Sequence, residues 1–326
     1  MKILLVRVSS LGDVLHNLPM VADILRHHPD ARIDWVVEEG YVSLVRLNPH
    51  VRKVIPFALR RWKKGLKDPA VRAEVRAFFR DLRAEQYDYV FDTQGLIKTG
   101  LVMAAARVRK GGQKIGMANG TEDSGYEGAS RIFHSRSIPV EPRTHAVERG
   151  RVVAAAALGY ALDTPPDFGL AAADPAKRPA WMPAGAYAVF FHGTARDAKK
   201  WASENWIALG HALAPLSVLL PWGSPKEKEE AERLAAALQN ATVLPKLSMM
   251  DAVELARHAA LAVGVDTGLT HIAAAFVRPT VEIYCDSPRW KTEGNWSPRI
   301  VNLGDTGRPP SVNEVVAAAR GLLEKT

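Results

Sequence analysis

A single cysteine, Cys285, among 326 residues leaves the chain without an internal disulfide framework. A reducing compartment, the cytoplasm, is therefore expected. No uninterrupted apolar run approaches the roughly 20 residues of a membrane-spanning helix. Lys2 followed by Ile3-Leu4-Leu5-Val6 superficially suggests a secretion leader, but Arg7 cuts the run and no cleavage-type sequence follows. Both nucleotide fingerprints are missing: no Gly-x-Gly-x-x-Gly follows the first strand, and no Gly-Lys-Ser/Thr closes a phosphate loop. Zinc-finger spacings and RNA-recognition aromatic motifs are also absent. No cluster of aspartates suggests a divalent metal. Neither a metal, another cofactor nor nucleic acid is expected as a partner.

What is present is an ordinary globular composition, 47% hydrophobic and 24% charged, long enough for two domains. The net charge of +8 calls for an anionic partner, for which by charge alone nucleic acid, nucleotide phosphates and an anionic membrane surface all qualify. Strand-like runs alternate with helical ones throughout: Lys2 to Val8, Ile33 to Val37, Val51 to Phe57 and Tyr87 to Asp92 in the first half. Tyr187 to Phe191, Ser217 to Leu220, Thr242 to Leu244, Ala262 to Val265 and Val281 to Tyr284 follow, the last taken as the final strand. That rhythm is α/β with parallel sheets. A long polar, glycine-rich stretch from Lys110 to Arg136 reads as a loop, with Arg131, His134 and Arg136 available to an anion. The proline-rich passage over 165–183 reads as a linker.

In open α/β sheets ligands gather at the carboxyl ends of strands, and polar groups collect there in this chain. Ser9-Ser10-Leu11-Gly12-Asp13 follows the first strand, where Asp13 suits either a general base or a helix cap. Gln94 and Lys98 follow the fourth strand and belong to the same edge. Arg60-Arg61-Trp62-Lys63-Lys64 is a dense basic cluster, read as phosphate or carboxylate recognition against the alternative of a solvated loop. Asp266-Thr267-Gly268 joins a buried strand to a small-residue helix starting near Leu269, with His271 one turn in. The N–H groups at such a helix mouth suit a diphosphate, and a glycine lets it approach. An Asp N-cap beside a satisfied histidine is the other reading.

Several motifs occur in one order: Ser9-Ser10-Leu11-Gly12-Asp13-Val14-Leu15-His16, Asp34-Trp35-Val36-Val37-Glu38-Glu39-Gly40, Arg60-Arg61-Trp62, Gln94-Gly95-Leu96, Leu220-Pro221-Trp222-Gly223, Leu244-Pro245-Lys246 and Val265-Asp266-Thr267-Gly268-Leu269-Thr270-His271. Together they resemble the lipopolysaccharide heptosyltransferases of glycosyltransferase family 9, of the heptosyltransferase I type, nearly end to end. The resemblance implies a GT-B fold, two Rossmann-like domains facing each other across a cleft. It implies an acceptor domain over 1–164, the linker 165–183, an ADP-sugar domain over 184–310, and a helix over 311–326 that could pack back on the first domain.

The implied reaction is inverting transfer of L-glycero-D-manno-heptose from ADP-heptose to Kdo-lipid A, by an enzyme peripheral to the cytoplasmic face of the inner membrane. Asp13 matches the family's general base. Thr194, Lys199, Glu227, Asp266, Thr267, Gly268 and His271 match the donor site, with Lys199 at the phosphates and Glu227 at the adenosine. Ser10, Gly12, Arg60, Arg61, Lys63, Lys64, Gln94 and Lys98 fall to the acceptor. One departure is His192-Gly193-Thr194-Ala195-Arg196, where the family pattern His-Ala-Thr-Thr-Arg carries a hydroxyl at Ala195. Two alternatives remain: a relative using another core acceptor, and a nucleotide-sugar oxidoreductase or epimerase.

Overall fold

The first strand, Lys2–Val6 (β1), is apolar on both faces, and four of its five residues are fully buried. A strand of that kind belongs in the middle of a parallel sheet with helices on both sides. The computed structural model describes residues 1–171, 179 and 181–325, and divides them into two units, Met1–Ala171 and Ala172–Thr326. The division falls inside the expected linker 165–183, of which 172–178 and 180 lie outside the described residues.

In the first unit, β1 is followed by α1 (Leu11–His16), α2 (Pro19–His27), β2 (Arg32–Glu38), α3 (Val42–Val45), β3 (Val51–Phe57), α4 (Leu59–Gly65) and α5 (Pro69–Leu82). Then come β4 (Tyr87–Asp92), α6 (Ile97–Ala105), β5 (Val108–Met117), β6 (Arg136–Ile138) and α7 (Ala146–Leu158). The sheet is parallel throughout in the order β3-β2-β1-β4-β5-β6. The stretch expected as a loop from Lys110 to Arg136 therefore supplies two strands. Its pairing partners decide this, since β5 is largely polar and half-exposed along most of its length. Arg136 donates to the Ala156 and Ala157 carbonyls at the end of α7, so it closes a helix rather than facing a ligand.

The basic cluster is a helix, not a loop. Trp62 is buried against Phe57 and Phe78, with ring centroids 5.5 and 5.3 Å away, and this anchors α4 with its arginines and lysines outward.

The second unit runs β7 (Tyr187–Phe191), α8 (Ser203–Leu213), β8 (Ser217–Leu220), α9 (Pro225–Ala237), β9 (Ala241–Val243) and α10 (Met249–His258). It continues with β10 (Leu261–Val265), α11 (Gly268–Ala275), β11 (Thr280–Tyr284), β12 (Ile300–Gly304) and α12 (Val312–Leu323). Its parallel sheet has the order β12-β11-β10-β7-β8-β9. β11 is thus not the last strand; β12, short and half-buried, pairs outside it. Phe190, Trp201 and Trp206 pack at 5.1 Å centroid spacing in the core, and Trp201 Nε1 donates to the Pro310 carbonyl. The apolar face of α12, Val315, Ala319 and Leu322, lies in this same core. The hydrophobic stripe of the last helix is thus covered within the second unit.

Gly264 matters to the placement of α11. A Cβ there would stand 2.8 Å from that of Phe191 and collide with Thr270, whose hydroxyl bonds the Val265 carbonyl at 2.8 Å. The absent side chain lets the helix close down on β10, so its N-terminus opens at the carboxyl edge of the sheet.

Candidate active site

Two polar clusters stand at strand carboxyl ends, one in each unit. In the first, Arg7 continues β1 and is buried, donating to the Thr93 carbonyl and, at 2.5 Å, to Asp13 Oδ1. The other carboxylate oxygen accepts from the Ser10 amide at 3.0 Å and the Ser10 hydroxyl at 2.8 Å. Burial alone would raise the Asp13 carboxyl. Arg7, both Ser10 donors and His16 outweigh it and hold the group well below the usual carboxylate range. Asp13 is thus an ionised carboxylate with a third of its side chain open to solvent. The cap and base readings are compatible, because each oxygen of a carboxylate accepts more than one bond.

Gln94 and Lys98 converge on the same edge. Gln94 accepts from the Val8 amide at 3.0 Å and donates to Ser9 Oγ at 3.3 Å, and Lys98 Nζ reaches the same hydroxyl at 3.3 Å. Asp92, fully buried, shapes this loop by accepting from the amides of Gln94 and Gly95 and the hydroxyl of Thr99. Gly12 lies half-buried in the first turn of α1.

Arg60 and Arg61 differ. Arg60 is 79% exposed, with Glu38 3.5 Å away, whereas Arg61 is clamped by Glu39 and, at 2.7 Å, by Glu74. The charges expected to need an external anion are thus partly answered inside the fold, at Arg61 above all. Lys63 and Lys64 are exposed in the last turn of α4.

In the second unit Asp266 follows β10, but it is not an N-cap. Its Oδ2 accepts from Lys199 Nζ at 2.5 Å, and its Oδ1 pairs with His271 Nε2 at 3.1 Å and accepts from the Thr292 hydroxyl at 3.3 Å. Thr267 takes the cap position with its side chain making no capping bond. His271 Nδ1 pairs with Glu282 Oε1 at 2.8 Å, while Glu282 Oε2 accepts from Tyr284 and the Gly294 amide. Burial would lower the His271 ring, but Glu282 and Asp266 override it and push it up to about 10. The ring is therefore an imidazolium donating to both carboxylates. Both ring nitrogens are engaged within the protein, by Glu282 and Asp266. Asp266, despite its burial, is held well below the ordinary carboxylate range by His271 and Lys199.

Glu227 caps α9: its Oε2 accepts from the amides of Gly223 and Ser224 at 2.7 and 3.0 Å, and the carboxylate lies against Gly193 at the end of β7. Thr194 is half-buried one residue beyond, and Ala195 is exposed. Among the described residues no group of three His, Cys, Asp or Glu side chains is arranged to hold a metal ion.

Arg7 and Glu282 were missed as site residues. Each had a signal, a charge inside or directly after an apolar strand, and such a charge stays buried only with a partner. Thr292 and Gly294 had none, because a loop distant in sequence brings them in.

Two doubly wound parallel sheets with cationic and carboxylate groups at the strand ends, and no dinucleotide turn, define a nucleotide-sugar enzyme of the GT-B fold. The chain belongs to glycosyltransferase family 9, the heptosyltransferases, whose model matches residues 75–317. It is 40% identical over 288 residues to lipopolysaccharide heptosyltransferase 1 of Escherichia coli K12, covering 87% of this chain and 88% of that one. Among solved structures it is similar to E. coli heptosyltransferase WaaC with ADP, at 34% identity and a TM-score of 0.84 over 100% of this chain and 99% of that one. The same enzyme with ADP-2-deoxy-2-fluoro heptose matches with a TM-score of 0.78 over the same shares. The chain is a heptosyltransferase of lipopolysaccharide core synthesis, and the oxidoreductase and epimerase readings fall away.

Proposed function

We propose that the chain transfers L-glycero-D-manno-heptose from ADP-heptose to Kdo-lipid A, with inversion at the sugar. The observation that carries this reading is Asp13, an ionised, partly open carboxylate fixed by Arg7 and Ser10 beside Ser9, Gln94 and Lys98. An acceptor hydroxyl needs a base within hydrogen-bond reach as it attacks. The hydroxyl proton passes to Asp13, the new C–O bond forms at the anomeric carbon, and the bond to the donor phosphate breaks on the opposite face. ADP departs with the electron pair. Ser10, Gly12, Gln94 and Lys98 hold the acceptor sugar.

Charge growing on the leaving diphosphate is stabilised by preorganised donors. The N-terminus of α11, opened by Thr267 and Gly268, supplies amides and a partial positive charge. Lys199 has three ammonium donors, of which one goes to Asp266, so the others serve a phosphate. Asp266 holds Lys199 and faces the heptose, His271 holds Asp266, and Glu227 with Thr194 borders the adenosine end.

The exposed cations of α4, Arg60, Lys63 and Lys64, meet the phosphates of the lipid and draw the enzyme to the inner-membrane surface. No helix among the described residues is long and apolar enough to cross a membrane, so attachment would rest on this face. Incubation with ADP-heptose and Kdo-lipid A, followed by mass spectrometry of the lipid, tests the reaction. A lipid gaining one heptose supports it; transfer only to a different core acceptor overturns the acceptor assignment.

A further inference from the structure

Arginines buried in this fold are paired with carboxylates. Arg7 holds Asp13, Arg151 holds Asp23 and Glu148, and Arg257 holds Glu254. Arg149 is the exception. It is 5% exposed on α7, its Nε is buried without an acceptor, and among the described residues no hydrogen bond or ion pair is found for its side chain. Burying an unpaired charge is costly, so its persistence calls for a partner that arrives from outside.

Its place in the fold says where that partner sits. α7 packs on α1, the helix that carries Asp13, and the neighbouring Gly150 backs onto Asn17 at the end of α1. Arg7 and Asp13 are the charges that act on Arg149, and burial followed by Arg7 pushes its guanidinium down to about 10. Two guanidiniums against one carboxylate leave a positive excess beside the base. Arg7 Nε and Asn17 Nδ2 are likewise buried donors with no acceptor. A group of buried donors without acceptors is the complement of an anion.

We infer that Arg149 is the anion subsite of the acceptor, its guanidinium taking a carboxylate on the same sugar whose hydroxyl Asp13 deprotonates. This rests on the reaction proposed above. The planar guanidinium forks carboxylate and phosphate alike, so position decides between them. Proximity to the base requires the anion to lie on the reacting sugar, and in Kdo-lipid A that sugar carries a carboxylate while the phosphates lie on the lipid A portion.

The test uses the full chain as wild type, Arg149→Met and Arg149→Lys. Calorimetry with free Kdo, Kdo methyl ester and inorganic phosphate reads the subsite without turnover. The wild type should prefer acid over ester by about 10–100-fold, the range of a hydrogen-bonded charge. That preference should vanish in Arg149→Met and return in part in Arg149→Lys, with ADP affinity unchanged. The Met variant should also melt no lower than wild type, since it removes an unpaired buried charge. The inference is overturned by an acid-over-ester preference that survives Arg149→Met, by no preference or no binding in the wild type, or by phosphate binding as tightly as Kdo through Arg149. A lowered melting temperature with unchanged Kdo binding also overturns it and assigns Arg149 to the core. If the wild type fails to glycosylate Kdo-lipid A, the proposed reaction fails by itself; the Kdo and ester comparison still decides the subsite.

Discussion

Glu282→Gln isolates the charge chain behind Asp266. In the native protein His271 is an imidazolium because a carboxylate faces each ring nitrogen, 2.8 Å away at Glu282 and 3.1 Å away at Asp266. Its folded pKa, about 10, stands above the ordinary value of 6.5. A raised folded pKa means that the stabilisation is fully present below 6.5 and is lost as pH rises through about 10. At 1.36 kcal/mol per unit the window corresponds to at most about 5 kcal/mol. Glutamine keeps the shape, and its carbonyl still accepts from Tyr284 and the Gly294 amide. Its NH₂ would donate to a neutral His271 Nδ1, leaving Nε2–H for Asp266. The variant therefore has a satisfied neutral ring and loses the pH dependence.

Urea unfolding from pH 6 to 10 reads this. Wild-type stability should fall relative to Glu282→Gln by an amount on the order of 3–5 kcal/mol across that range. The ring nitrogens of His271 should titrate lower in the variant by NMR. Parallel stability curves for the two proteins would refute the imidazolium bridge.

Asp13→Ala should lower kcat by about 10²–10⁴-fold while ADP still binds, and equal turnover would return Asp13 to a capping role alone. Since its carboxyl is held below the usual range, wild-type kcat should show no acid limb from Asp13 near neutral pH, which a pH–rate profile checks. Lys199→Ala should weaken ADP in calorimetry, with the deficit shrinking as salt is raised; unchanged affinity would mean the phosphates bind elsewhere. Arg60→Ala should raise the KM for the detergent-held lipid acceptor more than Arg61→Ala, because Arg61 is already clamped by Glu39 and Glu74. ADP-heptose KM should stay constant in both, and a donor defect would remove α4 from the acceptor site.

The sequence by itself determined what depends on local order. Buried parallel strands read out as continuous apolar runs, and β7 and β8 have the bounds their composition implies. Glycine, hydroxyl and carboxylate residues at strand ends marked Asp13, Gln94, Lys98 and Asp266 as rim residues, because loops there must satisfy their own polar groups. Strands with weak composition escaped: β5 is polar, and β12 is defined by pairing with β11. Only the tertiary structure decided which charge meets which. Arg7 and Glu282 stand out locally only as charges among apolar strand residues and Arg149 not at all, and the meaning of all three comes from neighbours on other elements. Asp266 reads locally as a helix cap, yet its oxygens face Lys199, His271 and Thr292, between 5 and 67 residues away in sequence. The physical reason is range: backbone propensity acts over a few residues, whereas an ion pair in a low-dielectric interior is set by where the fold places its two ends.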